Sequence, residues 1–269
     1  MNPISAEKLC EGHIVNKLLR FILAAGLLLW AASNIVAAPN QPAFKVLAFY
    51  STTVEPDHVH VANDALVFFK ELAPKNNFVF DSTTDWDKLN EKDLKSYQVV
   101  IWLNEFPHTP AQRAAFQHYM EHGGAWLGTH VAGYNDATTN WPWFVDFLGG
   151  AVFYSNNWPP LPAKLIVDDR TSPITQGLPD SYDAPANEWY LWKPSPRLNK
   201  HVRVLLTLAP SNYPLGVKDV LTEGDLPVVW TNTKYKMIYM NMGHGEKIFG
   251  DATQNKLFTN AILWLGSKH

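Results

Sequence analysis

Apolar positions follow two rhythms in the first half of the chain. Phe44 to Tyr50 (FKVLAFY), Phe78 to Phe80, Tyr97 to Leu103 (YQVVIWL) and Ala125 to Thr129 (AWLGT) are short, nearly continuous apolar runs. That is the pattern of strands buried on both faces. Between them, His58 to Leu72 places Ala62, Ala65, Leu66, Phe69 and Leu72 at helical spacing. A second helix is expected from Pro110 to His122. Thr109 stands at its cap, Pro110 at its first position and Gly123-Gly124 after its end, as helix-end chemistry requires. Strands alternating with helices predict a parallel sheet with helices on both faces.

The second half is less regular. Ala163 to Val167, Val202 to Leu208, Pro227 to Thr231 and Met237 to Met240 read as strands. Ala252 to Leu265 reads as a closing helix with Leu257, Phe258, Ala261, Ile262 and Leu265 on its buried side. Asn156 to Pro196, rich in Pro and Trp, is expected to be long loops. Nothing repeats, and no linker interrupts the pattern, so one domain over residues 39–269 is expected.

The N-terminus breaks this pattern. Lys8, Lys17 and Arg20 precede an apolar run, Phe21 to Ala32, too short to span a bilayer comfortably, and Ser33 to Ala38 is rich in small residues. Residues 1–38 therefore read as a cleavable signal peptide, with cleavage near Ala37 or Ala38. Export to the periplasm or exterior is expected, with no stable membrane insertion after cleavage. The single cysteine, Cys10, lies inside that segment. The expected mature domain thus has no disulfide, thiolate ligand or cysteine nucleophile. A formal net charge of −3 with no basic block gives no reason to expect nucleic acid as a partner.

In an open parallel sheet, ligands bind beyond the carboxyl ends of the strands. Polar residues leave the predicted strands there: Ser51-Thr52-Thr53 with His58 and His60, then Asn104 with Glu105 and His108, then His130 with Tyr134, then Asn241 with His244. Gly128-Thr129-His130-Val131-Ala132-Gly133 resembles a nucleophile elbow stretched by one position. A histidine there can serve as general base, hydrogen-bond donor or metal ligand. His244 sits between Gly243 and Gly245, which let backbone approach a ligand. His58 and His60 can point one way in an extended loop but diverge on a helix, and His58, nearer the strand end, is preferred. Asn187-Glu188-Trp189-Tyr190 places a carboxylate between an amide and aromatics. His118, His122, His201 and His269 read as surface residues, and Asp168-Asp169-Arg170 as a solvated turn. Trp158 and Trp189 belong to a tryptophan-rich stretch whose ring faces suit sugar stacking or core packing. No G-x-x-x-x-G-K-[ST], G-x-G-x-x-G, H-E-x-x-H or G-x-S-x-G occurs, so no nucleotide-like cofactor is expected.

With those residues in hand, Phe44 to Gly266 resembles the ThuA-like (trehalose utilisation) family. The resemblance is carried by YQVVIWLN (97–104), GGAWLGTHVA (123–132), WPWF (141–144), Leu148-Gly149-Gly150, SPITQGLP (172–179), NEWY (187–190), VLLTL (204–208) and Gly243-His244. It implies a flavodoxin-like fold similar to class I glutamine amidotransferases, with His130 about where those enzymes hold their cysteine, so glutaminase activity is not expected. It also implies disaccharide or keto-sugar metabolism, with His130, Glu188 and His244 as the candidate catalytic set. The chain departs from the family where members carry a His-Pro pair and it has Asn156-Asn157-Trp158. It departs again where members carry an acidic residue and it has Gly133-Tyr134. Both positions bear on a metal site.

The expectation is therefore an exported α/β protein acting on a sugar or keto-sugar derivative. Asn104, Asn187, Trp189, Tyr190, Tyr134 and Trp158 are its expected substrate contacts. His58, His130 and His244 are candidate ligands for a divalent metal such as zinc. Hydrolysis, elimination or isomerisation would need no diffusible cofactor. A non-catalytic carbohydrate-binding protein and a metal-dependent hydrolase of another small substrate are the alternatives, and a homo-oligomer is compatible with each.

Overall fold

The computed structural model describes residues 41–136 and 138–267. Residues 1–38, expected to be a signal peptide, and His269 lie outside the described residues. The compact unit Pro42–His269 carries the strands β1 (Phe44–Phe49), β2 (Phe78–Thr83), β3 (Val99–Trp102), β4 (Ala125–Thr129), β5 (Phe153–Asn156), β6 (Leu161–Val167), β7 (Ser181–Asn187), β8 (Tyr190–Trp192), β9 (Val202–Leu208), β10 (Pro227–Asn232) and β11 (Lys236–Met240). Its helices are α1 (Pro56–Lys75), α2 (Glu91–Leu94), α3 (Pro110–Glu121), α4 (Pro142–Phe147) and α5 (Ala252–Gly266). The main sheet runs β2-β1-β3-β4-β11-β10-β9-β6-β7, and β5 pairs with β8 separately. From β2 to β11 neighbouring strands are parallel; from β11 to β7 they are antiparallel.

The apolar runs of the parallel half divide by the two-residue strand period. Val46, Ala48, Val99, Ile101, Leu127, Ile238 and Met240 face one core with α1 and α5. Leu47, Phe49, Val100, Trp102, Trp126 and Tyr239 face a second core with Phe116 of α3 and Phe144 and Phe147 of α4. Both faces are thus covered, as the unbroken runs predict. Burying one such Phe contributes about 1.5–3 kcal/mol, so the two cores hold the sheet rigid under the site.

One expectation is corrected. Asn156 to Pro196 is not only loops: besides β6, expected at Ala163 to Val167, it holds β7 and β8. Pro185 hid β7, but β7 is an edge strand, where a missing N–H costs no ladder bond. β6 and β7 slip register between Leu161 and Ala163, which accommodates Pro162 beside Pro185. Asp168 and Asp169 are also more than a solvated turn, pairing with Arg197 and Arg203 respectively. Among the described residues no helix is long and apolar enough to cross a membrane.

The α3 cap is a complete capping box: Thr109 accepts from the Gln112 backbone, and Gln112 Oε1 accepts from the Thr109 backbone at 3.1 Å. Thr109→Ala should destabilise the fold by about 1 kcal/mol in urea titration, with an unchanged m-value. No change in midpoint would mean the box contributes nothing.

Candidate functional site

Four parallel strands deliver their exits to one edge of the sheet. Beyond β1, Pro56 starts α1 and places His58 in its first turn. Beyond β3, Asn104 takes the Ser51 N–H on Oδ1 at 2.8 Å and donates to the Ser51 and His58 carbonyls at 2.9 and 3.2 Å. Its amide is therefore spent on holding the start of α1. Beyond β4, His130 adopts φ +48°, a left-handed conformation that costs a non-glycine residue about 1–2 kcal/mol. A short 3₁₀ turn, His130–Gly133, follows.

Neighbours hold that turn. Tyr239 Oη donates to the His130 carbonyl at 2.9 Å. His130 Nδ1 lies 2.9 Å from the Asn241 carbonyl. A carbonyl only accepts, so Nδ1 carries the proton and Nε2 of the neutral ring carries a lone pair. Gly243 lies so close that a Cβ there would come 2.3 Å from His130 Cβ.

His130 Nε2 points at Glu188 Oε2, 3.2 Å away, while Asn156 Nδ2 donates to Glu188 Oε1. A lone pair facing a carboxylate needs a proton or a cation between them. Burial lowers the His130 pKa, against the upward pull of Glu188. His58 lies on the same point, its ring 5.2 Å from that of His130 and 4.8 Å from that of His244. Its Nδ1 is 3.6 Å from Glu55 Oε2, and its buried Nε2 has no hydrogen-bond partner. Burial first, then the His130 and His244 imidazoles, lower its pKa to about 3.

His244 completes the cluster. Its backbone N–H and that of Gly243 donate to Asn187 Oδ1 at 2.9 and 3.1 Å. Its Nε2 is 3.2 Å from Glu55 Oε1 and its Nδ1 3.9 Å from Asp57 Oδ2. Two ligand triads result, Glu55–His58–His244 and His58–His130–Glu188, each with its ligand atoms within 4.8 Å of one another. The second fits a divalent cation better. It is the more buried, His58 Nε2 is unpartnered, and the far atoms of His130 and Glu188 are already held by Asn241 and Asn156, the outer-shell support a metal site uses.

The remaining expected contacts separate. Tyr190 packs on His130 with ring centroids 4.2 Å apart, and burial and Glu188 raise its hydroxyl pKa well above the ordinary value. Trp158 meets His244 edge-on at 5.8 Å. Tyr134 is half-buried, donates to Asp136 Oδ2 at 3.2 Å and packs on Phe153. Asn187 is buried and holds backbone, donating to the Asn241 and Glu188 carbonyls. Trp189 lies in the core with Nε1 on the Leu161 carbonyl at 2.9 Å, away from the histidines. His60 is exposed and faces Asp64.

Glu55 was not anticipated. A carboxylate directly before a helix-starting Pro56 was the available signal, because the residue before a helix is fixed in direction. Asn241 leaves the expected strand exit, but its carbonyl role has no side-chain signature.

In chelator-treated protein, His58 stays neutral when folded and titrates near 6.5 when unfolded. The unfolded chain then binds more protons between pH 6.5 and 3. Stability is intact above pH 6.5 and falls with pH by up to about 1.4 kcal/mol per unit from this group. Chemical denaturation of His58→Gln should show a shallower acid loss than wild type; equal slopes would refute a buried neutral His58.

The family described as ThuA, trehalose utilisation, matches residues 45–265. A ThuA-like protein from Bacteroides uniformis ATCC 8492 is 53% identical, with TM-score 0.82, over 87% of this chain and 95% of that one. A ThuA-like protein from Parabacteroides merdae ATCC 43184 is 16% identical, with TM-score 0.59, over 83% and 90%. A β-galactosidase from Bacillus circulans sp. alkalophilus shares the fold over 84% of this chain and 32% of its own, at 14% identity and TM-score 0.51. No curated protein matches the chain. The chain belongs to the ThuA (trehalose utilisation) family.

Proposed function

We propose that the protein is an exported enzyme that acts on a keto-sugar derivative, removing a proton from the carbon beside its carbonyl. The observation that carries this reading is the pairing of two buried imidazoles with carboxylates in one cluster: His130 with half-buried Glu188 and His244 with the more exposed Glu55. The family description, trehalose utilisation, supports a saccharide as substrate. The tripartite N-terminus supports export.

His58, His130 and Glu188 would hold a divalent cation such as zinc. When bound, such an ion supplies Lewis acidity toward a carbonyl oxygen. His244 is the base. With Nε2–H donated to Glu55 Oε1, Nδ1 carries the lone pair and has no hydrogen-bond partner. The substrate C–H proton passes to Nδ1, and its electron pair forms the enolate. Glu55 and Asp57 then flank the imidazolium. Returning that proton to the neighbouring carbon isomerises the sugar; giving it to a departing alkoxide completes an elimination. Tyr190 closes one wall over His130, and Trp158 another beside His244.

Purified protein should retain about one zinc-class ion per chain, and Glu188→Gln should lower metal affinity at least tenfold. Consumption of 3-keto-disaccharides, followed by chromatography, should fall by about 10²–10⁴-fold in His244→Gln. A variant as active as wild type would remove His244 from the mechanism. Unchanged binding of saccharides without consumption by the wild-type protein would favour a carbohydrate-binding protein instead.

A further inference from the structure

Two histidines that the buried cluster leaves unused meet at the opposite edge of the sheet. Helix α3 carries the chain from the carboxyl end of β3 back to the start of β4, so its last turn lies at the edge away from His130. His118 stands in that turn and His122 caps it. Four residues apart on a helix, they share one face, one above the other. Their rings approach to 3.8 Å between centroids, with planes 34° apart.

One ring is locked in place. The His118 carbonyl accepts twice from His122, from the backbone N–H at 3.1 Å and from ring Nδ1 at 2.8 Å. A carbonyl only accepts, so Nδ1 carries the proton and Nε2 of the neutral ring presents its lone pair. An Nδ1–H held by a backbone carbonyl is the support that metal-ligating histidines commonly have. The backbone beneath is fixed as well: the Gly124 N–H reaches the Tyr119 carbonyl at 2.9 Å, and Gly123 takes φ +88° to end the helix. Among the described residues the His118 ring has no hydrogen-bond partner, and neither ring pairs with a carboxylate. Either nitrogen of His118 can therefore turn to the point that His122 Nε2 faces.

Protonating both rings would set like charges 3.8 Å apart; one cation shared by two neutral rings avoids that repulsion. The carboxyl end of a helix favours a cation in any case. The pair lines a cavity of about 450 Å³ together with Glu91 and Lys95 at the two ends of α2, whose charges offset. That space has room for the waters that complete a coordination sphere.

We propose that His118 and His122 bind a borderline divalent transition-metal ion, copper(II) ahead of zinc, with water in the remaining positions. Imidazole nitrogen suits such ions, copper(II) forms the stronger complexes, and its square-planar geometry takes two nitrogens side by side. The site is open and has two protein ligands, so it exchanges its ion with the medium. It is separate from the buried cluster and does not depend on the reaction assigned there.

Calorimetric titration of tag-free, zinc-loaded protein with copper(II) chloride, with electron paramagnetic resonance of the sample at one equivalent, tests the site. One equivalent should bind and show coupling to two imidazole nitrogens. His118→Gln and His122→Gln should each weaken that binding at least tenfold. Both residues are exposed, so neither substitution reaches the core. Lowering the pH from about 7.5 to 5.5 should weaken it by about tenfold or more, because protons compete for both rings. His60→Gln, which removes the exposed histidine that faces Asp64, should leave it unchanged, as should His58→Gln in the buried cluster. No bound equivalent, or binding that survives the loss of His118 or of His122, would overturn the site. Loss of the copper signal in His58→Gln would overturn it too, by placing the ion in the buried cluster.

Discussion

The hydrogen bond from His130 Nδ1 to the Asn241 carbonyl is the constraint on which the site depends. It joins the exits of adjacent parallel strands β4 and β11 inside a water-excluded edge. It fixes the tautomer, and so decides that Nε2 presents a lone pair to Glu188. It also holds a left-handed histidine whose strain must be offset by contacts. Tyr239 on the His130 carbonyl and the close approach of Gly243 supply them. Asn187 shares the same Asn241 acceptor and, through its own oxygen, sets the backbone that carries His244. One carbonyl thus aligns both histidine–carboxylate pairs.

Glu55 divides the cluster into its two halves. One oxygen faces His58 and the other His244. His58 is held neutral by burial and by two neighbouring imidazoles, which suits a lone-pair donor. His244 has a carboxylate beside each nitrogen, which suits a group that gains and loses a proton. The same residue type would therefore take different parts in one pocket because its neighbours differ, not because the rings do.

How much was readable in the sequence had a physical cause. The strands of the parallel half announced themselves because both their faces are buried. The α3 ends did so because capping residues act locally. Edge strand β7 was obscured by Pro185, and three-residue β8 is too short for a period. His58 was preferred over His60 because it lies nearer the end of β1, and the structure faces it inward and His60 to Asp64. Trp189 was the misleading neighbour of Glu188. In an extended segment successive side chains alternate, so Glu188 and Tyr190 share the site face while Trp189 enters the opposite core. Asn104 and Asn187 looked like ligand contacts because buried amides at strand exits serve either purpose, and only the hydrogen-bond partners show that both hold backbone.

A cation site formed by His58, His130 and Glu188 and oriented by Asn241 is the centre of the proposed chemistry. A crystal structure grown without chelator, with diffraction recorded on both sides of the zinc absorption edge, tests it most directly. The expected result is one anomalous peak within bonding distance of His58 Nε2, His130 Nε2 and a Glu188 oxygen, with His130 Nδ1 still on the Asn241 carbonyl. A peak held by Glu55 and His244 instead, or a zinc-supplemented crystal with Glu188 bonded directly to a protonated His130 and no peak, would contradict it.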